Sequence, residues 1–233
     1  MSLVVALKAK DAIVMAADSR GTIGDPRGLT AINDKQQKLF PCGCCGLGLV
    51  GSMEMGTALL DVLENQARIQ DVANVDDAAR VVMQHSATSF GQWFGNIAPD
   101  KRPVVIITLA GYRDPRGAQP KPMVYNLNSQ VNFAPQLFGD APALSGVPQY
   151  AVYLVHRYYD PTIPTEKAKA LAEYLIAETA SQDPKVGGPI RMSMISAASG
   201  YAPLTEEEVL AVHKSNETLN ARLREFFVTG GPQ

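Results

Sequence analysis

The chemistry this chain could do starts at its second residue. Ser2 follows Met1, and a small second residue permits removal of the initiator methionine. Ser2 then carries a hydroxyl and a free α-amine on one residue. A serine hydroxyl needs a base to act as a nucleophile. An α-amine titrates near ~8, low enough to accept that proton at neutral pH. An ordinary processed terminus is the bland alternative, because many chains begin Met-Ser. Residues 46–51 (GLGLVG) match G-x-G-x-x-G, which in a βαβ unit cradles a dinucleotide, with Asp71 at a tolerable distance for a ribose contact. The chain around this run does not supply such a unit: an antiparallel hairpin precedes it, and helix follows Asp71. The cysteines Cys42, Cys44 and Cys45 crowd into one stretch. A Cys-x-Cys-Cys metal site lacks a distant second ligand pair, and small apolar residues in a strand are the more economical reading. An odd, clustered set argues against a disulfide framework and for a reducing compartment.

Other chemistries lack their residues. His85, His156 and His213 fall in expected helices without an H-E-x-x-H pattern. There is no G-x-S-x-G elbow and no phosphate-binding Walker loop. No metal or cofactor is expected. With Lys+Arg 21 against Asp+Glu 23, the net charge is -2, which gives nucleic-acid binding no electrostatic support. No stretch reaches the ~20 apolar residues of a membrane helix, and no secretory signal opens the chain, so a cytoplasmic location is expected.

The elements that must position Ser2 follow from periodicity. Residues 3–7 (LVVAL) and 12–17 (AIVMAA) read as strands joined by a tight turn at 8–11, hence an antiparallel hairpin. Residues 21–28 (GTIGDPRG) read as a turn. Strands are expected around 29–32, 37–41 and 45–50, then helices at 52–70 and 76–94. Strands follow at 103–109, 122–128 and 131–138. Helices are expected at 148–159 and 165–182, where Ala168, Leu171, Ala172, Leu175 and Ile176 keep helical spacing. A hairpin at 189–196 and 200–203 closes the sheet region. Thr205 with Glu208 forms a capping box for the last helix, and residues 228–233 read as a flexible tail. Paired helices between runs of strands differ from βαβ alternation. They point to an α+β fold: a four-layer αββα sandwich of two antiparallel sheets in one domain spanning residues 1–233.

Residues 2–22, SLVVALKAKDAIVMAADSRGT, resemble the opening of proteasomal β-type subunits, a family of N-terminal-nucleophile hydrolases. The family's nucleophile, "ADSR"-like run and following Thr match Ser2, Asp18, Arg20 and Thr22. The sixteen positions from Ser2 to Asp18 are the family's spacing. The family's lysine before an apolar pair matches Lys38-Leu39-Phe40, with Lys35 as rival. By this resemblance Asp18 and Lys38 support the nucleophile, and Arg20 is structural near the site. Gly51, opening a helix, donates its N–H to the oxyanion. Ser145-Gly146 and Asp183, before Gly187-Gly188, match residues that orient the α-amine. Val186 stands where the family usually has a second Ser. The backbone of Gly21 and Thr22 is expected to hold an extended substrate, and Leu49 and Met53 to line an apolar pocket. The resemblance further implies a divergent bacterial-type member, HslV-like or ancestral-β-subunit-like. It also implies a homo-oligomer of stacked rings with threonine-peptidase-like chemistry, acting on peptides or unfolded protein fed by an AAA+ ATPase unfoldase. A small-molecule amidase of the same fold and a non-catalytic ring subunit are the alternatives.

Overall fold

The structure, a computed structural model, describes residues 2–24 and 30–230. The chain runs β1 (Leu3–Lys8), β2 (Ile13–Ala17), β3 (Gly21–Gly24), β4 (Thr30–Asn33), β5 (Leu39–Cys42) and β6 (Cys45–Gly51). Helices α1 (Met53–Asn65) and α2 (Val75–Phe94) follow, then β7 (Val105–Tyr112), β8 (Pro122–Asn128), β9 (Gln136–Phe138) and β10 (Ala143–Gly146). The second helix pair is α3 (Gln149–Tyr158) and α4 (Thr165–Gln182). The hairpin β11 (Arg191–Ser196) and β12 (Gly200–Pro203) leads to α5 (Glu206–Arg224).

One five-stranded sheet has the order β10-β1-β2-β11-β12 and the other β5-β6-β7-β8-β9. Every pairing within them is antiparallel. Leu3, Val5 and Leu7 face Ala151, Val155, Ala168 and Leu175 of α3 and α4. Val4 and Ala6 face the second sheet. The other face of that sheet, with Leu47, Leu49, Ile107 and Leu109, packs on α1 and α2. The architecture is the four-layer αββα sandwich of two antiparallel sheets, α+β in class. Burial on both faces explains why β1 reads as an unbroken apolar run rather than an alternating one.

The G-x-G-x-x-G run is strand β6 in an antiparallel sheet, not a nucleotide loop. Its first two glycines let the sheets approach. A Cβ on Gly46 would sit 2.8 Å from Met15 Sδ, and one on Gly48 2.6 Å from Val4 Cγ1.

Several boundaries move. Residues 21–24, expected as turn, form strand β3 paired to β4, and residues 25–28 of that expected turn, with residue 29 of the expected strand after it, lie outside the described residues. The expected strand 131–138 shrinks to 136–138. The Asn128 side chain accepts from Gln130 N and closes a 3₁₀ turn, after which Asn132 and Phe133 take positive φ. The helix expected over 52–70 stops at Asn65, with Arg68 left-handed before a 3₁₀ turn at Ile69–Asp71. Strand β10 was not expected. The capping box at Thr205 and Glu208 is formed. The last helix passes into a wider π turn at Glu225–Gly230, which takes in residues 228–230 of the tail expected to be flexible, and residues 231–233 lie outside the described residues. Among the described residues, no helix is long and apolar enough to cross a membrane.

Candidate functional site

Ser2 sits at the N-terminal end of β1 and is buried. Alternation along β1 puts its side chain on the face of Val4 and Ala6, toward the second sheet. Its carbonyl accepts from Val147 N at 2.9 Å. The neighbouring Gly146, paired with Leu3, has φ +105, and a Cβ there would lie 1.8 Å from the Ser2 carbonyl oxygen. Only glycine lets β10 end against Ser2. Met1 lies outside the described residues, and no hydrogen bond among those residues involves the Ser2 hydroxyl.

Asp18 leaves the end of β2 and fixes this terminus. Its Oδ1 accepts from Leu3 N at 3.0 Å and from Lys38 Nζ at 2.7 Å. Its Oδ2 accepts from Arg20 N and Gly187 N, each at 3.1 Å. Asp18 and Lys38 are both 0% exposed. One carboxylate oxygen thus bridges the Lys38 ammonium and the peptide joining Ser2 to Leu3. Lys38 also donates to Arg20 O at 2.7 Å. Burial pushes Lys38 below the usual lysine value, and the Asp18 charge opposes that shift. Lys35, the sequence rival, is exposed; its backbone N–H is bound by Asn33 Oδ1.

Arg20 is held from the outside. It grips Asp34 bidentately at 2.8 and 2.9 Å and donates to Pro184 O at 3.0 Å. The pair raises Arg20 and lowers Asp34 from their ordinary values. This ties the loop after β2 to the turn carrying Gly187. A Cβ on Gly187 would sit 2.7 Å from Arg20 Cζ, so that turn must pass close. Asp34 carries no sequence signal and was not anticipated.

Gly51 ends β6 with φ +105, just before α1 begins at Met53. A Cβ would lie 2.1 Å from Val104 O. Gly21 and Thr22 lie in β3, paired on one side with β4, and Thr22 Oγ1 is buried without a partner among the described residues.

Four further expected site residues have the following surroundings. Leu49 is 1% exposed and packed over Gly56 of α1, in the core rather than on an open pocket wall. Met53 packs against the same core, partly buried. Ser145 is buried between the sheets. It shares a hydrogen with Thr108 Oγ1 at 2.7 Å and accepts from Asn126 Nδ2 at 3.2 Å. Asp183 follows α4 and accepts from Lys185 N at 2.8 Å, as a turn residue does. Among the described residues, no hydrogen bond joins Ser145 or Asp183 to Ser2. Val186 is fully buried in the core under α4. A cleft of about 690 Å³ between α4, α5 and β11–β12 reaches Gln37, Leu39 and Gly187, but neither Ser2 nor Gly51 lines it.

This architecture is the proteasome-like fold seen in Anbu structures. Among solved structures the chain is similar to the Anbu complex of Pseudomonas aeruginosa, described as a helical assembly. The TM-score is 0.76, with 20% identity, covering 99% of this chain and 98% of that one. It is also similar to Anbu, an ancestral beta-subunit, from Yersinia bercovieri, with TM-score 0.74, 16% identity, and 99% and 98% covered. Anbu from Hyphomicrobium sp. strain MC1 gives TM-score 0.73, 16% identity, and 99% and 98% covered. No family model matches the chain. No curated protein matches it either. These findings correct the sequence-based placement among proteasomal β-type subunits, HslV-like members included. What is shown is a fold relationship to Anbu proteins, at identities that carry the fold and nothing narrower.

Proposed function

We propose that the chain is an N-terminal-nucleophile peptidase subunit with Ser2 as nucleophile after removal of Met1. The observation that carries this reading is the Asp18 carboxylate, which binds the Lys38 ammonium and Leu3 N through one oxygen in a site closed to solvent. A cation held beside the first strand lowers the cost of ionising the Ser2 hydroxyl. The α-amine of Ser2 takes the proton, the hydroxyl oxygen attacks a peptide carbonyl, and the amine returns the proton to the leaving amine. Water then releases the acyl group by the same route. Gly51 N–H, at the start of α1, stabilises the oxyanion. The edge of β3 at Gly21 and Thr22, unpaired among the described residues, holds the substrate as an added strand. Copies of the chain assemble with one another, as the helical assembly of the Pseudomonas relative suggests. Unfolded chains delivered by an ATP-driven unfoldase are the expected substrates.

The test combines intact mass with turnover of fluorogenic peptides. An active preparation should lack Met1, Ser2→Ala should abolish hydrolysis, and an electrophilic inhibitor selective for N-terminal nucleophiles should modify Ser2. Undiminished hydrolysis by Ser2→Ala, or full activity with Met1 attached, would overturn the proposal.

A further inference from the structure

The cysteine cluster plays no part in that chemistry, and its geometry is specific. The β5–β6 hairpin turns through Gly43 and Cys44, with Gly43 at φ +56, and Cys42 and Cys45 stand opposite one another across it. Cys42 and Cys45 are 0% exposed, whereas Cys44 is half-buried. The turn is pinned: Cys44 N donates to Val72 O at 3.3 Å, and the backbone of Gly200 approaches Cys44 Cα so closely that a Cβ would come to 3.1 Å. Cys45 Sγ is seated against Gly111, where a Cβ would come to 2.5 Å. In this fixed frame the sulfurs of Cys44 and Cys45 lie 3.8 Å apart in hydrogen-bonding contact.

We propose that Cys44 and Cys45 are a vicinal thiol pair that a peroxide converts reversibly into a disulfide, with Cys44 as the attacking sulfur and Cys45 as the resolving one. The asymmetry of the pair assigns the roles. The hydrogen bond from the Cys45 thiol lowers Cys44 to about 7, opposed by its partial burial, and the positive charge of Arg116 assists. The same bond and burial push Cys45 up, and burial pushes Cys42 up to about 12. Cys44 is therefore the thiol that ionises near neutrality and that solvent reaches, which is what peroxide reactivity requires. Its thiolate attacks one peroxide oxygen. The O–O bond breaks, and the departing hydroxide takes a proton from solvent to become water. Cys44 is left as a sulfenic acid. The Cys45 sulfur then attacks the Cys44 sulfur. The S–O bond breaks, and the hydroxide leaves as a second water with the Cys45 proton. Two thiols are oxidised by two electrons and one peroxide is reduced to two waters. Adjacent Cα atoms are held about 3.8 Å apart by a trans peptide, closer than relaxed disulfides prefer, so the product is readily reduced.

The experiment uses the full chain near neutral pH, with a small excess of hydrogen peroxide and intact-mass detection. Wild type should lose the mass of two hydrogens, regain it with a thiol reductant, and show by tandem mass spectrometry a link between residues 44 and 45. Cys44→Ser should abolish the loss. Cys45→Ser, or Cys45→Ala where the first does not fold, should stop at a sulfenic acid that dimedone traps on Cys44. Cys42→Ser should behave as wild type. An unchanged wild-type mass, a link that includes Cys42, or an undiminished loss in Cys44→Ser would overturn the proposal.

Discussion

Removing the Lys38 ammonium is the sharpest perturbation of the site. Lys38→Met keeps much of the side-chain volume and leaves Asp18 a buried carboxylate with no counter-charge. Arg20, whose charge also acts on Asp18, is committed to Asp34. Breaking a buried pair from one side costs about 3–5 kcal/mol. Asp18 retains three backbone donors, from Leu3, Arg20 and Gly187, which places the cost near ~3 kcal/mol. For a chain of this size that corresponds to a fall in Tm of about 6–12 °C. Asp18→Asn should cost a comparable amount. Its amide group would point N–H bonds either at the donors of Arg20 and Gly187 or at Leu3 N and Lys38. The double variant should be less destabilised than the sum of the two by at least about 2 kcal/mol, because each single change strands the other member of the pair and the double change strands neither. Urea unfolding of all four proteins measures this coupling. A Lys38→Met variant within about 0.5 kcal/mol of wild type, or a double variant additive to the same margin, would refute the view that Asp18 and Lys38 act as one unit.

Gly51→Ala should lower stability by about 1–3 kcal/mol, because φ +105 and the approach to Val104 O leave no room for a Cβ; thermal melts check it. Peptide turnover by that variant should fall by about 10²–10³ at saturating substrate if its N–H is the oxyanion donor. Thr205→Ala should cost about 1 kcal/mol, since Glu208 N at the start of α5 loses the Thr205 hydroxyl that caps it; chemical denaturation reads it. His213 lies 2.5 Å from the fully buried Glu173, and that hydrogen bond, with the Glu173 and Glu217 charges, raises it above 6.5. Its raised folded value means the stabilisation is fully present below the unfolded histidine value and is lost as pH rises through the folded one. His213→Gln should therefore flatten the wild-type decline in stability that begins above about pH 6.5, as read by melts across pH.

How much of this was legible in the sequence depends on what fixed each element. The β1–β2 hairpin, α4 and the capping box of α5 are set by local patterns, and they stand where periodicity and turn chemistry put them. Strands β3 and β10 are short and marginal by themselves. β3 exists because β4 pairs with it, and β10 because it joins the edge of β1. No window of residues around 21–24 or 143–146 contains that information. The face a side chain presents was equally hidden. Leu49 was expected to line an apolar pocket, yet the pairing of β6 with β7 turns it toward α1. Ser145 reads as a partner for an amine, yet its register against Val4 brings it to Thr108 and Asn126. The Asp34 clamp on Arg20 is a contact across a loop, and nothing in the spacing of the two residues announces it.

The same reasoning says why a match over residues 2–22 cannot by itself make a site. Both ends of the Ser2–Leu3 peptide group are held, one by a partner from distant sequence and one by a carboxylate that distant sequence completes. The Ser2 carbonyl is bound by Val147 N, past the end of β10. Leu3 N is bound by Asp18, whose other oxygen accepts from Arg20 N and from Gly187 N, the latter 169 positions away. Two glycines make these approaches possible, Gly146 against the Ser2 carbonyl and Gly187 against the Arg20 guanidinium. The position of Ser2 therefore depends on segments spread from Asp18 to Gly187 and on both sheets together. A carboxylate buried beside β1 is tolerable only once Lys38, delivered at the head of the second sheet, neutralises it. The nucleophile proposed here is thus set in place only when the two sheets close on each other.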